Sequence, residues 1–409
     1  MHGFTRRQTV AAALAWLDAQ LAPLPSETVT LGAAAGRVLA EAIVSDVSVP
    51  GFDRATMDGY ALVADCTESA TPYNRIALKV VGDALPGTPF TGTVARGEAV
   101  RIMTGAPIPA GCDAVLPAES VESSAGRTEL RSGASDVTAI GSVPPGKNIG
   151  RVGEDIASGT VVLEPGRVLR PQDLGVMSSI GRGSVTVVRR PRVRLVITGN
   201  EVLPAGSRPS GFHIADANGP MLAALADRDG ASVDFPGLVR DDASDILAAL
   251  GADADIVVVS GGSSVGVEDL APSLVARHGE LAVHGIAMRP SSPTGLGKIG
   301  ERIVCLLPGN PVSALCAYDF FAGRAIRALG GRSKDWPYAR VRAPLARKIS
   351  SPIGRLDYAR VRIEGGRVEP LAVSGASVLS STTRADGFVI VADDSEGFAA
   401  GTDVDVWLY

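Results

Sequence analysis

The sequence is short of the residues that carry redox, metal-cage and stacking chemistry. Of its 409 residues only four are Cys and four are His, and aromatics make up 4%. Cys66, Cys112, Cys305 and Cys316 show no C-x-x-C spacing, so neither a zinc site nor a disulfide framework is suggested, and a reducing compartment fits. No apolar run reaches the ~18 residues of a membrane-spanning helix, so no membrane contact is expected. The formal net charge is −5 and no Lys/Arg block stands out. This argues against nucleic acid or an anionic membrane as the main partner and leaves room for a small anionic ligand. Arg6 and Arg7, ahead of an apolar stretch, superficially resemble a twin-arginine export signal. However, Val10, Leu14, Leu17 and Leu21 fall at helical spacing and Asp18 interrupts the run, which predicts an ordinary amphipathic helix and a cytoplasmic protein.

Glycine (48) and proline (27) are abundant, which points to many turns, and the length predicts two to four folding units. Ile256, Val257, Val258 and Val259 form a β-branched run without alternation, the pattern of a strand buried on both faces of a parallel sheet. After them come Ser260, Gly261, Gly262, Ser263, Ser264, Val265 and Gly266, then Glu268 and Asp269 where a helix is expected. A loop of small residues between a strand end and a helix start leaves backbone N–H groups free for an anion or nucleotide. The plain alternative is a glycine-rich turn without a ligand.

Around that stretch strands and helices alternate. The pattern predicts strands at 193–197, 232–235, 284–288 and 303–307, and helices at 218–227 with Asn218 as N-cap, at 243–250 and at 270–278. A long helix opens at Asn310-Pro311 and runs to about residue 329. From Pro191 onward this implies a parallel sheet between helices. Upstream, short runs from 28 to 119 read as β-rich, with Asp58-Gly59 as a hairpin turn, and 123–143 reads as a polar surface excursion. Beyond Gly330, alternating runs predict an all-β unit, a small barrel.

Carboxylates recur where loops should gather: Glu201, Asp241, Asp242 and Asp269. Acids beside an anion-binding loop suit Mg²⁺ held against phosphates; each taken alone reads first as a solvated or capping acid, and it is their joint position at one sheet edge that favours the metal. A rival reading comes from Gly262-Ser263-Ser264-Val265-Gly266, a G-x-S-x-G between strand and helix that would make Ser264 a hydrolase nucleophile. The downstream histidines, His278 and His284, fall in a predicted helix and at the entry to a strand, not on the later loop a triad needs.

Eight motifs appear in order: GRVLAE at Gly36, MDGYA at Met57, MTGAPIP at Met103, GEDI at Gly153, TGNE at Thr198, SGGSSVG at Ser260, LPGNPVS at Leu307 and LSS at Leu379. Together they resemble the molybdopterin molybdotransferase family, the MoeA-like proteins that include the C-terminal domain of gephyrin, over nearly the whole chain. The resemblance implies an α/β multidomain fold in four parts. These are an elongated helical, dimerising part (1–45 with 151–190), an inserted β-rich module (46–150), a central parallel α/β molybdopterin-binding domain (191–330) and a C-terminal β-barrel (331–409). It implies a homodimer with its cleft between the α/β part of one chain and the inserted module of the other. The implied reaction inserts molybdate, the oxyanion substrate, into adenylylated molybdopterin with release of AMP; molybdopterin adenylyltransferase is a further implied partner.

Carried over by that resemblance, Asp58, Glu201 and Asp269 are catalytic, with Glu201 and Asp269 holding Mg²⁺. Gly261, Gly262, Ser263, Asn310 and Pro311 cradle phosphates, while Thr104 and Asp155 join Asp58 on the pterin side. Family members usually carry KPGKP where this chain has Arg289, Pro290, Ser291, Ser292 and Pro293, so Arg289 and Ser292 stand for two lysines, and Arg355 is a candidate to compensate. The alternative is a relative that keeps the fold and binds ligand without turnover.

Overall fold

The computed structural model describes residues 7–123, 136–261, 270–372 and 375–409. The chain forms two compact units. One comprises the residues up to Ala40, Gly166–Leu169 and Val185–Tyr409; the other comprises Glu41–Pro165 and Arg170–Ser184.

The first unit is built on a seven-stranded sheet. Its order is Ser232–Asp234, Arg192–Thr198, Ile256–Ser260, Arg302–Leu307, Gly295–Ile299 and Glu280–His284, with Leu238–Val239 also pairing to Arg192–Thr198. The pairings among the first four strands are parallel, as are those of Leu238–Val239, and the last two are antiparallel. On one face Val193, Leu195, Ile197, Val258, Cys305 and Leu307 pack with Leu222 and Ala226 of helix Asn218–Arg228. On the other, Val196, Val257, Val259, Val304 and Leu306 pack with Ile246 and Leu250 of Ala243–Leu250 and Leu274 and Val275 of Leu270–His278. Burial on both faces is why the 256–259 run shows no alternation, and each such side chain contributes roughly 1.5–3 kcal/mol.

The sheet is therefore mixed, and the expected all-parallel sheet is corrected at its far edge. The strand predicted at 284–288 is two elements, Glu280–His284 and Met288–Arg289, separated by Gly285 at φ +94. The strand Gly295–Ile299 escaped the sequence reading because its glycines break the apolar pattern. Helix Val10–Asp18 forms as expected: Thr9 caps it by accepting from Ala12 N–H, and Val10, Ala13 and Leu17 face the core. Its end is held by Asp18, which pairs with Arg324 at 2.7 Å.

In the C-terminal part the sheet order is Met288–Arg289, Leu356–Glu364, Gly387–Val391, Asp403–Leu408 and Ala339–Pro344, with Arg367–Ala372 pairing to Leu356–Glu364. Its free ends meet through a single parallel bridge between Leu345 and Val368. The ladders thus make a curled mixed sheet, and the expected closed barrel is not established by them.

The second unit contains a six-stranded sheet ordered Ala114–Pro117, Gly59–Leu62, Glu98–Ile102, Ile76–Ala84, Val137–Ala139 and Val121–Ser123. Gly59–Leu62 pairs with Glu98–Ile102 and Ala114–Pro117, whereas Arg54–Ala55 pairs with Ile149–Gly150, so Asp58-Gly59 is not a hairpin turn. Within the stretch read as a surface excursion, Val137 and Ala139 are buried sheet residues. The stretches expected to be helical, 1–45 and 151–190, carry two nine-residue helices, Val10–Asp18 and Pro171–Ser179; short ladders make up much of the rest among the described residues.

The long helix from Pro311 is interrupted by a π-helical stretch, Tyr318–Ala322, which places Asp319 fully inside the core. Tyr338 and Tyr358 donate to its two oxygens at 2.9 and 3.3 Å, and Arg228 lies 3.8 Å away. Burial outweighs these partners and pushes its pKa up to about 7. The unfolded chain releases this proton near pH 4 while the native protein keeps it, so stability is lost as pH rises through that window. We expect unfolding free energy, measured in urea from pH 5 to 7, to fall with a slope approaching 1.4 kcal/mol per unit, to about that order, and Asp319→Asn to flatten it. Equal slopes for both proteins would contradict this.

Candidate active site

Three neighbouring parallel strands end side by side at Thr198, Ser260 and Leu307. Gly261 follows at φ +101, and a Cβ there would lie 2.0 Å from the carbonyl oxygen of Thr198, so no other residue fits. Asn218 does not cap its helix as expected. It is the first helical residue, and its amide donates to Ser260 Oγ at 2.9 Å and to the Gly309 carbonyl at 2.7 Å, tying two strand ends together. The capping contact comes from Asp216, which accepts from Gly219 N–H at 2.8 Å. Asn218 Oδ1 is buried without a partner among the described residues.

Of the acids at this edge, Asp242 is a helix cap that accepts from the N–H groups of Ser244 and Asp245. Asp241 accepts from Thr198 Oγ1 at 3.1 Å, and Glu201 is exposed on the turn after the first strand. Gly262, Ser263, Ser264 and Asp269 lie outside the described residues. His278 ends a helix and His284 ends, instead of opening, a strand.

A cavity of about 710 Å³ opens beside this edge, and Arg289, Ser292, Asn310 and Arg355 line it together with Arg7 and Pro308. Among the described residues no acidic side chain lines it. Behind its wall sits Asp357, with 0% side-chain exposure, accepting from Arg289 Nη2 and from Ser351 Oγ at 2.8 Å. Arg355 Nε is 3.2 Å from its other oxygen, an ion-pair contact without hydrogen-bond alignment. The pairing is set by register, because Met288–Arg289 runs parallel to Leu356-Asp357 with Arg289 opposite Asp357. Ser291 is held in the left-handed region at φ +88, its hydroxyl donating to Ser313 O at 2.5 Å and its carbonyl accepting from Thr294 Oγ1 at 2.8 Å. Such strain persists where neighbours over-determine it. Ser292 Oγ and Arg289 Nε are buried without a partner among the described residues.

At the Asn310-Pro311 helix start, Pro311 has no N–H and Val312 N–H already donates to Ala376 O at 3.0 Å, so fewer donors face a ligand than at an ordinary helix end. In the second unit, Thr104 N–H and Oγ1 both donate to Asp58 Oδ1, at 2.7 and 2.8 Å. These bonds hold the Asp58 carboxyl below its ordinary pKa, so it is an anion rather than an acid at neutral pH. Asp155 is exposed and bonded through its backbone to Val49. Burial pushes the thiols of Cys112 and Cys305 up to about 12, which disfavours thiolate chemistry at those two.

Sequence reasoning thus missed Asp357, Arg7 and the true role of Asn218. A carboxylate between two arginine-bearing strands was the only available signal for Asp357, and nothing local marks the other two.

The arrangement is an α/β protein with an arginine-lined cavity beside the strand ends, and three family models cover it in order. They are the MoeA N-terminal region (domain I and II) over residues 8–181, a domain described as a probable molybdopterin binding domain over 194–328, and the MoeA C-terminal region (domain IV) over 342–409. The chain is 34% identical over 392 residues to molybdopterin molybdenumtransferase 2 of Mycobacterium tuberculosis, covering 93% of this chain and 94% of that protein. It is 33% identical to the molybdopterin molybdenumtransferase of Haemophilus influenzae, over 94% of each chain. The crystal structure of the molybdopterin biosynthesis MoeA protein from Pyrococcus horikoshii OT3 superposes with a TM-score of 0.79 at 31% identity, covering 99% of this chain and 100% of that one. The chain belongs to the MoeA family, the transferases of molybdenum cofactor biosynthesis.

The strand-end cluster has a direct test. Asn218→Ala removes two hydrogen bonds and leaves Ser260 and Gly309 without their donor, so unfolding free energy in urea should drop by about 1–3 kcal/mol. An unchanged midpoint would show that the bridge contributes nothing.

Proposed function

We propose that this protein transfers molybdenum from molybdate to adenylylated molybdopterin and releases AMP. The observation that carries the reading is the cavity whose described lining includes Arg7, Arg289 and Arg355, in a chain of this family. Molybdate is a tetrahedral dianion, and guanidinium forks present paired donors that match two oxygens at once. The unpartnered Ser292 hydroxyl and Arg289 Nε add donors whose burial is otherwise a cost. Here Arg289, Ser292 and Arg355 take the place of the two lysines that the family pattern supplies. Gly261, Gly262, Ser263, Asn310 and Pro311 approach the phosphates through backbone, and Asp58, Thr104 and Asp155 take the pterin side.

Among the described residues no three His, Cys, Asp or Glu side chains form a ready metal cage. Mg²⁺ does not need one, because it is held by one or two carboxylates, water and substrate phosphates. The oxygen donors at the strand-end edge fit that habit, and Glu201 and Asp269 would hold the ion, where it would neutralise charge on the departing AMP. The protein's own part is to position: the arginines orient the oxyanion, and the glycine edge lets the phosphates come close to the backbone.

The four-part division of the chain, closure of the C-terminal sheet into a barrel, a cytoplasmic location and delivery of substrate by molybdopterin adenylyltransferase belong to the same proposal. So does a homodimer with shared sites. Val44, Val47, Phe52, Val152 and Val161 of the second unit are large hydrophobics 40–51% exposed, and Val44 and Val161 pair across one ladder, which supports burial against a second copy.

Purified protein given adenylylated molybdopterin, Mg²⁺ and molybdate should release AMP, and Glu201→Gln or Asp269→Asn should slow release on the order of 10²-fold. No AMP from the wild type would instead favour a ligand-binding relative without turnover. Mixing inactive Asp58→Ala and Asp269→Ala chains should restore part of the activity, since one hybrid site is whole; proven subunit exchange without recovery would count against shared sites.

A further inference from the structure

Three of the motif stretches, those at Met57, Met103 and Gly153, meet in the second unit around the short strand Arg54–Ala55. On one side Ala55 N–H donates to Ala106 O at 2.9 Å, Gly105 N–H to Ala55 O at 2.8 Å and Ile108 N–H to Asp53 O at 2.9 Å. On the other, Arg54–Ala55 pairs with Ile149–Gly150, Thr56 N–H donates to Asn148 O at 3.0 Å, and Val152 N–H donates to the Asp53 carboxylate at 3.0 Å. Ala55 and Gly59 are buried, while Arg54, Thr56 and Asp58 are exposed, as are Thr104 and Asp155. Gly150 stands directly opposite Arg54, and a Cβ on it would lie 2.7 Å from Glu154 Oε1, so Glu154 folds over the space a side chain would fill. Glu154 accepts there from Arg151 N–H at 3.0 Å and meets Arg54 Nη2 at 3.8 Å, the two side chains being 43% and 44% exposed. A pair that long and that exposed restrains little, so the Arg54 guanidinium is oriented but not consumed. Arg151, by contrast, is bound to Asp53 at 2.6 Å.

We propose that Arg54 is a binding residue for the pterin, donating to its carbonyl oxygen. The inference rests on the reading that puts the pterin beside Asp58, Thr104 and Asp155. The amino-pyrimidinone half of a pterin carries the same groups as guanine: amino and ring N–H donors, with a carbonyl acceptor beside them. Carboxylates accept, so Asp58, whose two bonds from Thr104 both fall on Oδ1, and Asp155 suit the donors. The carbonyl needs a donor, and a guanidinium is the group that most often reads the corresponding oxygen of guanine. Arg54 supplies it from the strand on which the motif stretches converge, and the long contact with Glu154 gives way to the ligand.

The test uses adenylylated molybdopterin and, separately, AMP as probes in anaerobic equilibrium dialysis, with half-saturation of AMP release as a parallel readout. Arg54→Gln should weaken binding of adenylylated molybdopterin and raise its half-saturating concentration about 5- to 30-fold. AMP binding, half-saturation by molybdate, the maximal rate and the mass in solution should stay near wild type. Adding Gly150→Arg puts a guanidinium on the other side of the same rung and should recover part of the affinity. Asp58→Ala serves as the reference for the pterin side. If Asp58→Ala weakens binding of adenylylated molybdopterin and Arg54→Gln does not, this inference fails and the pterin-side reading stands. If neither variant changes that binding, both fail. An equal loss of AMP binding in Arg54→Gln, a changed mass in solution, or a double variant that melts like wild type yet recovers nothing likewise overturns it.

Discussion

A carboxylate with no exposure cannot stay charged without partners, and Asp357 has its partners supplied from two directions. Arg289 comes from the segment that leaves the α/β sheet, while Arg355 and Ser351 come from the approach to the longest C-terminal strand. Removing one partner of such a buried ion pair typically costs about 3–5 kcal/mol, because the remaining charge is stranded. That cost fixes the register between Met288–Arg289 and Leu356-Asp357 and with it the wall of the cavity. Ser291, held at φ +88 by Ser313 and Thr294, keeps the turn after Arg289 from relaxing.

The site divides its work between two materials. At the strand ends the chain offers backbone and small side chains, packed so closely that Gly261 has no room for a Cβ against Thr198. In the adjoining cavity it offers permanent cations on a braced wall. The first suits phosphates that must approach closely, and the second suits a compact dianion that must be oriented.

What the sequence revealed follows from this division. The run Ile256–Val259 was legible because burial on both faces writes an unbroken apolar string, and the helices behind it because their apolar stripes face one core or the other. Gly295–Ile299 was not legible, since a strand with two glycines relies on its neighbours and not on its own propensity. Asp58-Gly59 reads as a turn locally, but long-range pairing with 99–102 and 114–117 decides its conformation. At the site, the family pattern pointed to Arg289 and Ser292, and Arg355 was named as a compensating cation; all three line the cavity. The pattern could not find Asp357, which lies behind the wall, or Arg7, which is brought there by pairing across about 280 residues of sequence.

The central claim is that this arginine-lined cavity is the oxyanion site. Tungstate is a tetrahedral dianion of nearly the size of molybdate, and it scatters X-rays anomalously. A crystal soaked in millimolar tungstate should show one strong anomalous peak in the cavity, within hydrogen-bonding reach of Arg289 and Ser292. A peak confined to another surface, with the cavity empty at saturating tungstate, would contradict the account.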